Sequence, residues 1–286
     1  MCLKAVYGAK NCTIYILCLI CALFWGCSSK NPDTPVHFYK EVTPTIADFS
    51  YLEPVLKEAQ KINVNVFYEP NAQPAIGNLE PDLKVWDLLD RNITSLMSQR
   101  KRSIEINVPK TLAEMTRMSP KSKQAWSNKD LLELSNTIDY SLESAKKGEF
   151  YIVFVRGYFK DNAGHMRKSV AGVNLTGTTI VVIFKQVIKK IRSTPSSNTR
   201  SIVEQATIVH ELGHAMGLVN TGVPAVTDHH DSVNGAHCKN ADCVMYWLNN
   251  EGENNLTEFA DRIKDKYLDP NYSMFGQACL HDIEMF

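Results

Sequence analysis

Apolar and polar residues alternate along Ile62-Asn63-Val64-Asn65-Val66-Phe67-Tyr68, which predicts a strand with one buried face. Pro81-Asp82 opens a stretch with apolar residues at Leu83, Trp86, Leu89, Ile93 and Leu96 or Met97. That is helical spacing, with proline where a first turn tolerates it. Ile104-Glu105-Ile106-Asn107-Val108 alternates again and is stopped by Pro109. Asp130 is placed to cap a helix through Leu131, Leu134, Ile138 and Leu142, closed by Gly148. Phe150 to Val155 is a continuous apolar run, the pattern of a strand covered on both faces. Val170 to Phe184 holds two more strands around Asn174–Gly177, and a helix runs from about Ile202 to Gly217. Residues 218–252 look loop-rich, with Leu256–Leu268 the only later helix of any length. Strands alternating with helices predict an α/β (α+β) fold in three layers: a mixed, twisted sheet with helices, then a smaller C-terminal part rich in loops.

The N-terminal segment breaks this pattern. Lys4 and Lys10 precede an uncharged, mostly apolar run from Cys12 to Trp25, too short for a comfortable membrane span but long enough for a signal-peptide core. Leu23-Phe24-Trp25-Gly26-Cys27 resembles a bacterial lipoprotein signal, which implies cleavage before Cys27 and lipidation of that residue. Phe24 and Trp25 are bulky for such a site, so an uncleaved anchor stays open. Either way the remainder is expected outside the cytoplasm, tied to a membrane of the bacterial cell envelope. Pro32, Pro35, Pro44 and Pro54 among polar residues make 28–55 a predicted tether, with one short helix near Ala47–Leu52. The folded domain is expected over 56–286, in two parts, 56–217 and 218–286.

Charge excludes one class of partner. Thirty-one basic and thirty-one acidic residues provide no field for a polyanion, so no nucleic acid is expected. Of eight cysteines, only Cys238, Cys243 and Cys279 lie beyond residue 27. An exported domain with three cysteines is expected to form one disulfide and leave one over.

The chemistry concentrates in His210-Glu211-Leu212-Gly213-His214-Ala215-Met216-Gly217. Histidines four apart share a helix face, so both rings reach one zinc ion. The adjacent Glu211 is a general base for the water such an ion activates. Gly217 suits a helix-ending turn that returns the chain toward the metal. Five of the eight histidines lie between 210 and 237, which makes a chance match a poor explanation.

His210-Glu211-x-x-His214-x-x-Gly217 resembles the start of the metzincin signature, in which a third histidine or aspartate follows three residues after the glycine. Asn220 holds that position here, and its neutral amide is a poor zinc ligand. Further on, His237-Cys238-Lys239-Asn240-Ala241-Asp242-Cys243-Val244-Met245 resembles the archaemetzincin continuation. That resemblance implies an insertion before Ala236, with His237 as third ligand of one catalytic zinc and Met245 as the Met-turn residue. His229, in Asp228-His229-His230-Asp231, and Asn220 remain alternatives for the third ligand; the same loop is also a candidate for a second divalent ion.

The family's second zinc, held by four cysteines, cannot be built, because Gly276 stands where a partner of Cys279 would be. A Cys238–Cys243 disulfide is expected instead, with pairing to Cys279, or zinc held by the three cysteines and His281, as alternatives. Tyr246 is expected to pack in the core. The resemblance further implies that the Gly172–Phe184 stretch supplies an edge strand for extended substrate. The reading is a zinc-dependent metalloendopeptidase acting on a peptide or protein substrate. The alternative is an inactive, zinc-stabilised surface lipoprotein that binds peptides or glycans.

Overall fold

The computed structural model describes residues 47–286 except 101–102, 194–197 and 251. The signal segment, Cys27 and most of the expected tether lie outside the described residues. The end of that tether is folded: Tyr51, Leu52 and Val55 are buried, as is Leu56 just beyond it. The Tyr51 hydroxyl donates a 2.7 Å hydrogen bond to the Ala215 carbonyl. The helical turn expected near 47–52 forms later, over Pro54–Glu58.

Six strands form the main sheet: β1 (Lys61–Tyr68), β2 (Glu105–Asn107), β3 (Thr116–Arg117), β4 (Glu149–Val155), β5 (Gly172–Asn174) and β6 (Ile180–Phe184). Their order is β5-β6-β4-β1-β2, with β3 also paired to β1. All pairings are parallel except β5 with β6, so the sheet ends in an antiparallel outer strand. In β1 the buried residues are Ile62, Val64, Val66 and Tyr68, the period of two seen in the sequence. β4 and β6 are buried on both faces because each lies inside the sheet and is covered by other elements.

Helix α1 spans Asp87–Ser98 and begins later than proline placement suggests, since Leu83–Lys84 pairs with Asn78–Glu80 in a small hairpin. The helix expected from Asp130 is two helices, α2 (Asn128–Ser135) and α3 (Leu142–Lys146). Its cap is Ser127, with Asp130 accepting the Ser127 N–H at 2.8 Å in a reciprocal box. Asp139, at φ +55°, lies in the break between them.

Helix α4 (Thr199–Ala215) carries His210, Glu211 and His214 and packs on β5, β6 and α1. Every residue from Ile202 to Ala215 is buried, so even its polar side chains need partners. Glu204 finds them in the Lys185 ammonium and in the Ala75 N–H at 2.6 Å. After α4 come α5 (Glu253–Ile263) and α6 (Gln277–Met285). The second was not expected; its short apolar set, Cys279, Leu280 and Ile283, is interrupted by a buried Asp282. The described residues belong to one compact unit, and no described helix is long and apolar enough to cross a membrane.

Candidate metal and active site

The helical repeat brings the His210 and His214 Nε2 atoms to 3.2 Å of each other. Gly217 then closes α4 with φ +84°. The Leu218 N–H reaches the Gly213 carbonyl at 3.0 Å and the Gly217 N–H the His214 carbonyl at 2.9 Å. These are the paired bonds of a glycine-terminated helix, which reverse the chain. Val219 and Asn220 follow at φ +56° and +65°. Asn220 ends up exposed, its Oδ1 accepting the Ala225 N–H at 2.8 Å, so it faces a loop turn and not the histidines.

His237 is the residue that joins them. One ring nitrogen from each of His210, His214 and His237 lies within 4.8 Å of the others, and all three side chains are buried. Two of the rings are oriented by backbone. His210 Nδ1 donates to the Val244 carbonyl at 2.6 Å, and His237 Nδ1 to the Asn234 carbonyl at 2.7 Å. A carbonyl only accepts, so these contacts assign the proton to Nδ1 and leave Nε2 as the free donor atom for a metal. Burial, with His237 nearby, holds His210 down at about 3. Burial likewise lowers His237 to about 4, and burial with both neighbours takes His214 well below its ordinary value. The rings are therefore neutral at neutral pH, as a metal ligand must be. Two nitrogens each about 2.0–2.1 Å from a tetrahedral zinc lie roughly 3.3 Å apart, so the donor set fits zinc.

Glu211 is buried between α4 and the outer strand. A Cβ placed on Gly172 of β5 would sit 3.0 Å from Glu211 Cγ and 2.8 Å from Thr207 Cγ2. Only glycine lets the strand pass this close. Met245 packs against α4, where its sulfur would collide with a Cβ on Gly213. Tyr246 is half-buried and packs on Trp247, ring centroids 6.3 Å apart.

The cysteines depart from expectation. Cys238, Cys243 and Cys279 carry no disulfide, and all three are buried. The thiols lie together, with Cys243 Sγ 3.7 Å from Cys279 Sγ, against about 2.05 Å in a disulfide. The histidine beside them is His229, not His281, whose exposed ring bonds Glu284 at 3.2 Å. His229 thus belongs to the thiol group and not to the His210 site. Sequence reasoning missed Asp282, which receives the His229 ring at 2.7 Å, and the carbonyls of Val244 and Asn234. Backbone acceptors leave no trace in residue identity; Asp282 had one signal, its position three residues after Cys279.

No protein-family model and no curated protein matches the chain. Among solved structures, a zinc-dependent peptidase from Methanocorpusculum labreanum is similar at 14% identity and TM-score 0.43, over 77% of this chain and 100% of that one. Archaemetzincin from Methanopyrus kandleri is similar at 12% identity and TM-score 0.43, over 80% of this chain and 96% of that one. Likenesses this distant say nothing about the chemistry of this chain.

Proposed function

We propose that this chain is a zinc-dependent metallopeptidase in which His210, His214 and His237 hold one zinc and Glu211 is the general base. The observation that carries this reading is the convergence of three neutral imidazoles beside a buried carboxylate, under the outer strand of the sheet. Zinc at such a site acidifies water and polarises a scissile carbonyl. Glu211 takes the proton of the attacking water and delivers it to the leaving amine. The backbone bonds to His210 and His237 fix both ring orientations before substrate arrives, so little reorganisation is needed during reaction. β5 offers extended substrate a partner by strand addition, which suits a peptide better than a compact ligand. We also infer, from sequence alone, export and attachment to the envelope through Cys27.

The test uses the full-length chain, a mixed peptide library and zinc analysis. Wild-type protein is expected to cleave, and Glu211→Gln to keep its zinc while losing about 10²–10⁴-fold in rate. Cleavage by Glu211→Gln at the wild-type rate would sink the assignment. Zinc binding with no cleavage by the wild type would favour a zinc-stabilised binding protein.

A further inference from the structure

We propose that the cleft between Lys123, Arg156 and Lys168 is a subsite for an acidic side chain of the peptide substrate. It selects peptides that carry Asp or Glu a few residues from the scissile bond. The subsite deepens the peptidase function proposed above and rests on it.

The whole chain is neutral, yet its charge is unevenly placed. Lys123, Gln124, Arg156, Tyr158, Lys168 and Gln186 line a cleft of about 430 Å³ that has no carboxylate among its lining residues. Lys123 is matched by Asp130, which does not reach the lining. Arg156 and Lys168 are exposed, and neither side chain forms an ion pair among the described residues. Two further ammonium groups stand close by. Lys190 Nζ lies 4.8 Å from the centre of the Tyr158 ring. Burial, with Lys185 and Arg156 nearby, holds Lys189 below its ordinary value. Cations crowded in this way repel one another, and an anion relieves the repulsion. The Gln124 and Gln186 amides add neutral donors.

The walls of the cleft are held from behind. The Arg156 N–H donates to the buried Glu69 carboxylate at 2.7 Å, and the Arg156 carbonyl accepts the Trp126 Nε1–H at 2.6 Å. The Tyr158 N–H bonds the Gln124 carbonyl at 3.0 Å, which ties the two walls together. The backbone that carries the guanidinium is therefore fixed, and a ligand has only side chains to order.

Position selects the ligand. Arg156 directly follows β4 and Gln186 lies two residues beyond β6. The cleft thus opens outside the carboxyl ends of two neighbouring parallel strands, where open α/β sheets bind ligands. The outer strand β5 starts at the same end, since the Phe184 N–H meets the Ala171 carbonyl at 2.8 Å. Its first residue, Gly172, is the one that Glu211 packs against. Lys168 precedes Gly172 by four residues, at most about 14 Å of chain. A peptide paired along β5 therefore runs from Glu211 toward these cations. A free anion gains nothing from that alignment, whereas a side chain of a bound peptide does.

Fluorescein-labelled ten-residue peptides of Ala, Gly and Phe, with one Asp or Asn moved in turn along them, are the probes. Binding to the zinc-loaded, full-length Glu211→Gln chain is read by anisotropy. At one or two positions Asp is expected to bind roughly 3–10-fold more tightly than Asn at about 50 mM salt, and equally at about 1 M. Adding Lys168→Gln, at an exposed site, should lower that preference about 2–3-fold. Adding Arg156→Glu with Lys168→Glu should transfer it to Lys at the same positions. In the wild type the favoured Asp should raise kcat/KM by a similar factor. Anisotropy needs no turnover, so the preference without any cleavage by the wild type supports the acidic subsite and overturns the peptidase function. Equal affinity for Asp and Asn throughout, the same gain at every position, or a preference unchanged in Lys168→Gln overturns the subsite. So does a charge-reversed chain that keeps the preference and loses only its sedimentation with phosphatidylglycerol vesicles, which would make this face a membrane contact.

Discussion

The Met245 sulfur fills the space that a side chain at Gly213 would need, and Phe275 Cε1 would lie 3.0 Å from the same added carbon. Met245 is fully buried, so it has nowhere to retreat. Gly213→Ala is expected to destabilise the fold by about 1–3 kcal/mol, the usual cost of overpacking, although alanine is the better helix former. Met245→Leu, which conserves volume, should cost less than about 1.5 kcal/mol. Thermal denaturation of both variants checks this; a Gly213→Ala midpoint at or above wild type would contradict the contact.

Three residues compete in the sequence for the third position on the proposed catalytic zinc, and they lie in different surroundings. His237→Ala is expected to abolish zinc binding at the imidazole site. Asn220→Ala should leave it intact, because Asn220 is exposed and bonded to Ala225. His229→Ala should not remove a direct ligand of that zinc, because its ring is held by Asp282. Calorimetric zinc titration distinguishes these variants, and full zinc occupancy of the imidazole site in His237→Ala would refute the ligand set.

The metal-free protein should lose stability in mild acid. Burial lowers His210 to about 3 and His237 to about 4 in the folded state, whereas an unfolded histidine titrates near 6.5. Between these values the unfolded chain binds more protons, so stability rises with pH and is lost as pH falls from about 6.5 toward 4. Denaturation midpoints of the metal-stripped chain across that range give the slope. A midpoint that rises on acidification would contradict the neutral, buried assignment.

Gly172 governs how close β5 comes to Glu211, the proposed base. In Gly172→Val the new Cβ would press on Thr207 and Glu211, at 2.8 and 3.0 Å. A shift of the carboxylate by about 1 Å is expected to lower kcat roughly 10²-fold with zinc content unchanged. Equal kcat in the variant would show that Glu211 is not held by this contact.

Much of the architecture follows from local pattern. β1 and β4 occur where alternation and a continuous apolar run place them, because a strand's periodicity directly encodes which faces are covered. The motif helix could be read from the spacing of His210 and His214 among apolar residues; what the sequence did not show is that all fourteen positions from Ile202 to Ala215 are buried, six polar ones included. Other features were less legible. The break at Asp139 splits a helix whose apolar spacing continues, and α6 is short and carries a buried acid. Tyr51 is buried although it lies in a proline-rich stretch, since its partner Ala215 is remote in sequence.

The pairing of His210 with His214 is determined by the sequence, because one turn of helix fixes their common face whatever else the chain does, and Glu211 comes with them as the neighbour of the first. What completes each donor set is decided by tertiary structure. His237 and His229 are both histidines in one irregular segment, and no local rule assigns them. Two left-handed residues after Gly217, a carbonyl behind His237 and a carboxylate behind His229 send the first ring to the imidazoles and the second to the thiols. Those partners come from backbone geometry and from a helix near the C-terminus, which only the folded chain brings together.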